Sequence, residues 1–433
     1  MGVDPRVNQV LGLAARPWLA TREVRLGGNG TGRWASVESD EYRGCMRVIG
    51  LMSGTSADGV DAALVEWPDA GAPRPFQLRA FCAQAFDAAL QDRVHALAAG
   101  RLDGKDVLRE LAALDVLLGE RFAQAAAAVA REAGVALSDV DAIASHGQTV
   151  AHHPELRATL QIGDPSLIAE RTGVTTIADF RPRDLAAGGE GAPLAPFFHW
   201  AALADPDEFR VVLNLGGIAN VTALPRGGDP DAVVAFDVGP ANALVDTVVR
   251  GASQGRERMD RDGARARRGR VDAALLARLL DDEFLRRAPP KSTGRERYGW
   301  AEGEALLAEW TRGGREADDL VATLVAFNAE AVARACRDFC GGVPQRLLVC
   351  GGGARNPAQM DALAAALPGA RVEPTDRAGV PADAVEAMAF SLMGRNALLG
   401  IPNHLPRTTG AARATVLGEL CLGGPKSRSE GER

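Results

Sequence analysis

Lysine is nearly absent from this chain: among 49 basic residues only Lys105, Lys291 and Lys426 are lysines, set against 56 acidic residues for a formal net charge of −7 at pH 7. No basic stripe suited to a phosphate backbone results, so nucleic acid is not an expected partner. No Gly-Lys-Ser/Thr opens a helix either, which disfavours P-loop ATPases. Cysteine is sparse and scattered. The six thiols (Cys45, Cys82, Cys336, Cys340, Cys350, Cys421) lack paired zinc-ligand spacing and read as reduced intracellular cysteines. Cys336 and Cys340, close in a helical pattern, read as core. Long apolar runs are missing too. None reaches the ~18 residues that span a bilayer, and Arg6, Arg16, Arg22, Glu23 and Arg25 interrupt the stretch where a signal peptide needs its apolar core. A soluble, cytoplasmic protein without a membrane partner is the expectation.

What is present is an ordinary globular composition, 46% hydrophobic and 24% charged over 433 residues, a length that favours two or more domains over one. Residues 1–45 carry little periodicity and a glycine run at 27–32, which predicts a flexible extension with Met46 as a candidate start. Val48–Met52 and Val60–Val65 read as strands joined by Ser53-Gly54-Thr55-Ser56-Ala57-Asp58-Gly59. Val211–Leu215 and Asn220–Leu224 repeat the pattern around Gly216-Gly217-Ile218-Ala219. Helical spacing covers 106–133, 271–287 and 318–340, and buried-strand runs occupy 140–144, 174–178 and 346–350. The alternation indicates α/β domains.

Binding a nucleoside triphosphate requires backbone N–H groups aimed at phosphates, and glycine lets the chain approach without a Cβ in the way. Ser53 to Gly59 meets that need, with hydroxyls on Ser53, Thr55 and Ser56 and a carboxylate, Asp58, able to hold Mg²⁺ directly or through water. A plain tight hairpin is the competing reading. Gly216 and Gly217 would form the other jaw of a clamp. Gly351-Gly352-Gly353-Ala354-Arg355-Asn356 links an apolar strand to a helix from Pro357; adenosine could lie on that backbone, and a sharp strand-to-helix turn needs the same residues.

A phosphotransferase also needs a carboxylate near the transferred group. Asp237 is the candidate, ending the strand 232–236 just before a helix start at Asn242, although a lone aspartate there equally suits an N-cap. In Asp179-Phe180-Arg181-Pro182-Arg183-Asp184, followed by Gly188-Gly189-Glu190-Gly191, Arg183 could grip a carboxylate substrate, with Asp179 and Asp184 as rival bases; a structural salt-bridge loop is the alternative. His146 and the pair His152-His153 read as locally hydrogen-bonded rather than metal-binding, since consecutive side chains on extended chain face opposite ways. Glu386, on a helix, could project into a cleft or be solvated.

Together the segments Gly50-Leu51-Met52-Ser53-Gly54-Thr55-Ser56, Ser145-His146-Gly147-Gln148-Thr149, Asp179-Phe180-Arg181, Gly191-Ala192-Pro193-Leu194, Asn214-Leu215-Gly216-Gly217-Ile218, Phe236-Asp237-Val238-Gly239-Pro240, Pro290-Lys291-Ser292-Thr293-Gly294-Arg295-Glu296 and Thr409-Gly410-Ala411 resemble anhydro-N-acetylmuramic acid kinases. The resemblance implies a two-lobe, actin-like α/β fold with the nucleotide in the interlobe cleft, ATP and Mg²⁺ as cofactors, a small sugar substrate, cell-wall recycling and a homodimer. It implies lobes at 46–208 and 209–422, with a flexible tail at 423–433. The implied reaction is unusual: 1,6-anhydro-N-acetylmuramic acid, ATP and water become N-acetylmuramic acid 6-phosphate and ADP. On matching positions Asp237 resembles the base that activates water, Arg183 and Glu386 the sugar contacts, and Gly54, Thr55, Ser56, Ala57, Asp58, Gly59, Val60 and Asp61 the ATP loop.

Four residues depart from the family pattern: Ala57 for a larger aliphatic residue, Glu190 for a glutamine, Ala241 for a glycine and Ser391 for an alanine. The Cβ of Ala241 beside the Asp237 loop bears most directly on the sugar site. The competing readings are a nucleotide-dependent regulatory protein of the same fold, a kinase for another sugar, and a polyphosphate phosphatase.

Overall fold

Period-two alternation with both faces apolar defines the first sheet. In β1 (Cys45–Ser53), Val48 turns to one core while Ile49 and Leu51 turn to another. In β2 (Gly59–Pro68), Ala63 and Val65 oppose Ala62 and Leu64 in the same way. Strands buried on both faces need a layer on each side. The computed structural model describes residues 44–294 and 297–424, so the expected extension up to Arg43, its glycine run, Arg295, Glu296 and the tail from Pro425 lie outside the described residues.

After β3 (Gln77–Ala85) come β4 (Ala142–His153), β5 (Ala158–Ile162) and β6 (Thr176–Ala178). The second sheet holds β7 (Arg210–Leu215), β8 (Ile218–Leu224), β9 (Val234–Pro240), β10 (Arg346–Cys350) and β11 (Arg371–Pro374). In the first sheet β1, β2 and β3 form an antiparallel meander, β4 runs parallel to β1 and β6 parallel to β4. In the second, β7, β8 and β9 form the meander, β10 runs parallel to β7 and β11 parallel to β10. The strand orders β3-β2-β1-β4-β6 and β9-β8-β7-β10-β11 are therefore one topology used twice.

Helices complete the layers. α1 (Val107–Glu132) sets Leu114, Leu118 and Phe122 on one face of the first sheet. The next that matter for the site are α2 (Phe180–Ala186), α3 (Asn242–Ala252), α4 (Glu283–Arg286), α5 (Ala317–Phe339), α6 (Pro357–Ala366) and α7 (Val385–Leu399). α3 and α5 cover the outer face of the second sheet through Leu244, Val248, Leu320 and Leu324. α7 is apolar nearly all round, which marks a helix buried on every side. Its core includes Val48 and Ala144 from the first sheet and Val212 and Leu348 from the second, so it lies between them. Small residues allow the close approach: a Cβ on Gly50 would lie 1.8 Å from the Ala387 carbonyl oxygen, and one on Gly394 would lie 2.5 Å from the Ala144 Cβ.

The structure departs from the sequence expectation in three places. Asp237 lies inside β9, which runs on to Pro240. The helix expected over 271–287 is two, Ala273–Leu280 and α4, separated where Asp282 caps the second by accepting from Phe284 N. Last, the stretch 209–422 is not confined to one lobe: α7 packs on β1, β2 and β4, and β12 (Glu419–Cys421) pairs antiparallel with β6 at the first sheet's edge. The small-residue surface of β1 and β4 gives α7 a burial site that explains this return. Among the described residues no helix is long and apolar enough to cross a membrane.

Candidate active site

The first glycine loop is held from beneath. Ser53 Oγ lies 2.7 Å from both the Gly59 carbonyl and Gln148 Oε1, while Gln148 Nε2 donates to the Gly54 carbonyl at 3.1 Å. Ala57 adopts φ 47°, the left-handed region, and its methyl is fully buried. That backbone costs about 1 kcal/mol or more at a non-glycine residue and is tolerated because the surrounding contacts fix it. Val60 also points into the core. Ala57 and Val60 can therefore offer a ligand only their backbone, whereas Thr55 and Asp58 are exposed on the loop. Gly59 is required by the sheet, since a Cβ there would meet the Gln84 carbonyl at 2.4 Å.

The second jaw is fixed by α3. Asn242 N and Ala243 N donate to the Gly216 and Gly217 carbonyls at 3.1 and 3.0 Å. In a trans peptide C=O and N–H point oppositely, so the N–H groups of Gly217 and Ile218 face away from α3. The three glycines after β10 divide by role. A Cβ on Gly351 would lie 2.4 Å from Asn214 Oδ1 and one on Gly353 2.5 Å from the Leu215 side chain, while one on Gly352 would meet nothing within 4 Å. Two of the three serve the turn's packing on β7, and Gly352 is the one open to a ligand.

Asp61, Asn214, Gly351, Gly352, Asp383 and Glu386 line a cleft of about 250 Å³. Burial, then the neighbouring charges of Glu386 and Asp58, raise the Asp61 carboxyl to about 6. Burial raises Glu386 as well, against the opposing pull of Arg181. Apposed, partly desolvated carboxylates of this kind destabilise the ligand-free fold at neutral pH. Because the folded value lies above the unfolded one, Asp61's contribution is fully present below about pH 4 and is lost as pH rises through about 6. Asp61→Asn should accordingly stabilise the ligand-free protein at pH 7 by about 1–3 kcal/mol and by about half as much near pH 5, as read by urea unfolding at both values.

A row of polar residues crosses the second sheet from this cleft. Asn214 on β7 is paired with Asn220 on β8, and Asn220 with Asp237 on β9, beside a register irregularity at Ala219/Asn220. Directly paired residues share a sheet face at roughly 5 Å spacing, so Asp237 stands about 10 Å along the row from Asn214. All three are half-buried in otherwise buried strands. Asp237 is held from the side: Ser292 Oγ donates to Oδ2 at 2.8 Å, Thr293 N donates to the same oxygen at 3.0 Å, and Asp237 N donates to the Lys291 carbonyl at 3.2 Å. It caps no helix; α3 begins at Asn242 without a side-chain cap.

The arginines of α2 separate cleanly. Arg181 Nε donates to His146 Nε2 at 3.0 Å and its Nη1 to the Gly191 carbonyl at 2.8 Å. With Nε2 accepting and Nδ1 2.8 Å from the Gly147 carbonyl, His146 is the neutral Nδ1–H tautomer, and burial followed by Arg181's charge lowers it to about 3. Arg183 is exposed and has no ion-pair partner among the described residues. Asp184 is fully buried and structural: Gly191 N donates to Oδ2 and Thr409 Oγ1 to Oδ1, each at 2.8 Å, with His404 Nδ1 at the same distance from Oδ1 but poorly aligned. Burial would raise it, and these partners hold it below the usual carboxylate value. Asp179 sits at φ 54°, and its carboxyl, raised by burial, has Glu419 and Asp115 as its charged neighbours. Neither rival aspartate belongs to the polar row. Asn214, Asn220, Gln148 and the Ser292-Thr293 clamp were not read as site residues from sequence; asparagine inside an apolar strand is the signal that marks the first two.

Two sheets of one topology, each offering a glycine turn, with a pinned carboxylate beside the second, are the arrangement expected of a phosphotransferase. A family model described as anhydro-N-acetylmuramic acid kinase matches residues 46–422. The chain is 48% identical over 377 residues to an anhydro-N-acetylmuramic acid kinase of Xanthomonas campestris pv. campestris, covering 86% of this chain and 96% of the relative. It is 39% identical over 385 residues to that of Caldanaerobacter subterraneus, covering 87% and 96%. The chain belongs to the anhydro-N-acetylmuramic acid kinase family. Among solved structures, a glucokinase of the ROK family from Streptomyces griseus aligns over 81% of this chain and 99% of its own at 13% identity with a TM-score of 0.38.

Proposed function

We propose that this protein is an ATP-dependent kinase for 1,6-anhydro-N-acetylmuramic acid that opens the anhydro ring hydrolytically, with Asp237 as the base. The observation that carries the reading is the Asp237 carboxylate, clamped through Oδ2 by Ser292 and Thr293 on the row that leads to the cleft. Water gives a proton to Asp237 and its oxygen bonds to the anomeric carbon; the bond from that carbon to O6 breaks, and O6 takes the γ-phosphoryl of ATP, releasing ADP. The products are N-acetylmuramic acid 6-phosphate and ADP.

The loop 53–59, the Gly216-Gly217 turn and Gly352 would hold the nucleotide. Asp58 and Asp61 offer hard oxygen donors that suit Mg²⁺, whose charge would relieve the repulsion that raises Asp61. Among the described residues no three ligating side chains cluster, which fits an ion that keeps water and phosphate oxygens as most of its shell. Mg²⁺ would neutralise developing charge on the phosphates. The reading also carries a place in the cytoplasm, in cell-wall sugar recycling, and a homodimer, as the family resemblance implies.

Arg183, without an ion-pair partner among the described residues, would take the substrate's lactyl carboxylate, Arg181 being committed to His146 and Gly191. Arg183→Ala should raise KM for the sugar about 10- to 100-fold with KM for ATP unchanged, the loss of one charge-assisted hydrogen-bonded pair. Steady-state kinetics with the anhydro sugar and with N-acetylmuramic acid test both points: ADP release with the anhydro sugar supports the reading, and a preference for the reducing sugar defeats it.

A further inference from the structure

Lys291 is 6% exposed, a buried lysine in a chain that has only two others. Its Nζ donates to the Phe284 and Leu285 carbonyls of α4 at 3.1 and 3.3 Å. The rings of Phe284, Phe339 and Phe236 surround it at 4.8, 5.0 and 5.6 Å from their centroids. Among the described residues no carboxylate lies within ion-pair distance, so carbonyl oxygens and ring faces take the place of water. A compact ammonium with three donors fits such a cage; a planar guanidinium does not.

The cage is joined to Asp237 on two sides. Phe236, one of its walls, is the preceding residue on β9, and the main chain of Lys291 accepts from Asp237 N before Ser292 and Thr293 turn back onto Oδ2. The oxygen that Ser292 and Thr293 grip is therefore located by a segment whose anchor is one buried ammonium. We infer that Lys291 is a positioning residue for the reaction, its caged ammonium fixing segment 291–293 so that the Asp237 carboxylate is held in one orientation toward the substrate. This rests on Asp237 being the base.

The cage also makes the anchor titratable near neutrality. Burial lowers the ammonium to about 8; Arg287 beyond α4 and Arg334 on α5 push the same way, while Asp282 and Asp237 oppose them. The remaining ionisable neighbour, Cys340 just after α5, stays a thiol because its hydrogen bond with Cys336 and its burial raise it far above the usual thiol value. Loss of the proton removes the cation that the carbonyls and rings hold. The folded value lies below that of an unfolded lysine, so the unfolded chain binds more protons above about pH 8, and this group stabilises the fold as pH rises. A fall in kcat there without a fall in stability is thus loss of alignment rather than unfolding.

The test is the profile of kcat and KM across about pH 6.5–9 for the full chain, Lys291→Met, Lys291→Arg and Asp237→Asn, with thermal melts at each pH. The expected result is a reversible fall in wild-type kcat centred near pH 8, at constant KM for ATP. In Lys291→Met, kcat should be lower by about 10- to 100-fold, the scale of a misplaced catalytic group, and the alkaline fall should vanish. Lys291→Arg should be impaired and also lack the fall, because guanidinium does not titrate there. A methionine variant with wild-type kcat, or one that keeps the alkaline fall, overturns the proposal. If that variant does not fold, Lys291→Arg decides: a folded arginine variant with wild-type kcat overturns the proposal equally, because a guanidinium does not fit the cage. Turnover by Asp237→Asn would instead sink the base assignment on which the proposal rests.

Discussion

Asp237→Asn should lose about 10²–10⁴-fold in sugar-dependent ADP release while its affinity for ATP stays within a few-fold of wild type. The amide is nearly isosteric and leaves an oxygen that can still accept from Ser292 Oγ and Thr293 N, so the loop need not move. On the proposed mechanism, what the variant removes is the capacity to take a proton from water as that water attacks the anomeric carbon. Ring opening and phosphorylation should fall together, since O6 becomes a nucleophile only as its bond to that carbon breaks. Calorimetric ATP titration beside the kinetic assay separates this outcome from a collapse of the nucleotide site. Retained turnover would move the base elsewhere, and Asp61 in the cleft would be the next residue to test.

The second large effect is structural and lies in the segment that begins the first glycine loop. Gly50→Ala should cost about 3 kcal/mol or more, measured by urea unfolding, or leave the protein insoluble. The new methyl would sit 1.8 Å from the Ala387 carbonyl oxygen and 2.5 Å from Ser391 N, both backbone atoms of α7. Rotation of a side chain cannot relieve such a clash; α7 itself must move. That helix lies between the two sheets and carries Glu386 next to Ala387, so any surviving protein should bind substrate poorly as well. Gly54→Ala, a few residues on, provides the contrast. A Cβ there meets nothing within 4 Å, and stability should stay within about 0.5 kcal/mol of wild type.

These two glycines show which parts of the site were legible before the fold was known. Apolar alternation and glycine spacing were enough to place β7, β10 and α5 within a residue and β1, β2 and β8 within about three, because each is a strong local pattern with both flanks marked by turn residues. Motif order is what suggests the role proposed for Asp237. Local pattern does not encode what depends on pairing across the chain. The row from Asn214 through Asn220 to Asp237 exists only once β7, β8 and β9 are in register. The clamp from Ser292 and Thr293 comes from a loop more than fifty residues downstream of Asp237. Likewise Arg181 and Arg183 look equivalent in sequence, and it is the buried His146, on another strand, that claims one and leaves the other exposed. The return of α7 and β12 to the first sheet was hidden for the same reason, since nothing within 385–421 states which sheet will cover it.

Two of the departures from the family pattern now have surroundings. Ser391 Oγ accepts from Trp67 Nε1 at 2.9 Å and donates to the Val48 carbonyl at 2.8 Å, so this hydroxyl satisfies an indole that would otherwise be buried without a partner. Ala241 is fully buried at the start of α3, with its methyl inside the second-sheet core rather than exposed on the site. A narrowing of the sugar site by that methyl is therefore not expected.

The most direct test of the central claim is sugar-dependent ADP release by purified protein with MgATP and 1,6-anhydro-N-acetylmuramic acid in ¹⁸O-labelled water, with mass spectrometry of the sugar product before anomeric exchange sets in. The account predicts a 6-phosphorylated sugar carrying the label at the anomeric hydroxyl, in step with ADP. ADP release that does not depend on the sugar, or a phosphorylated product that retains the anhydro ring or lacks the label, would contradict it.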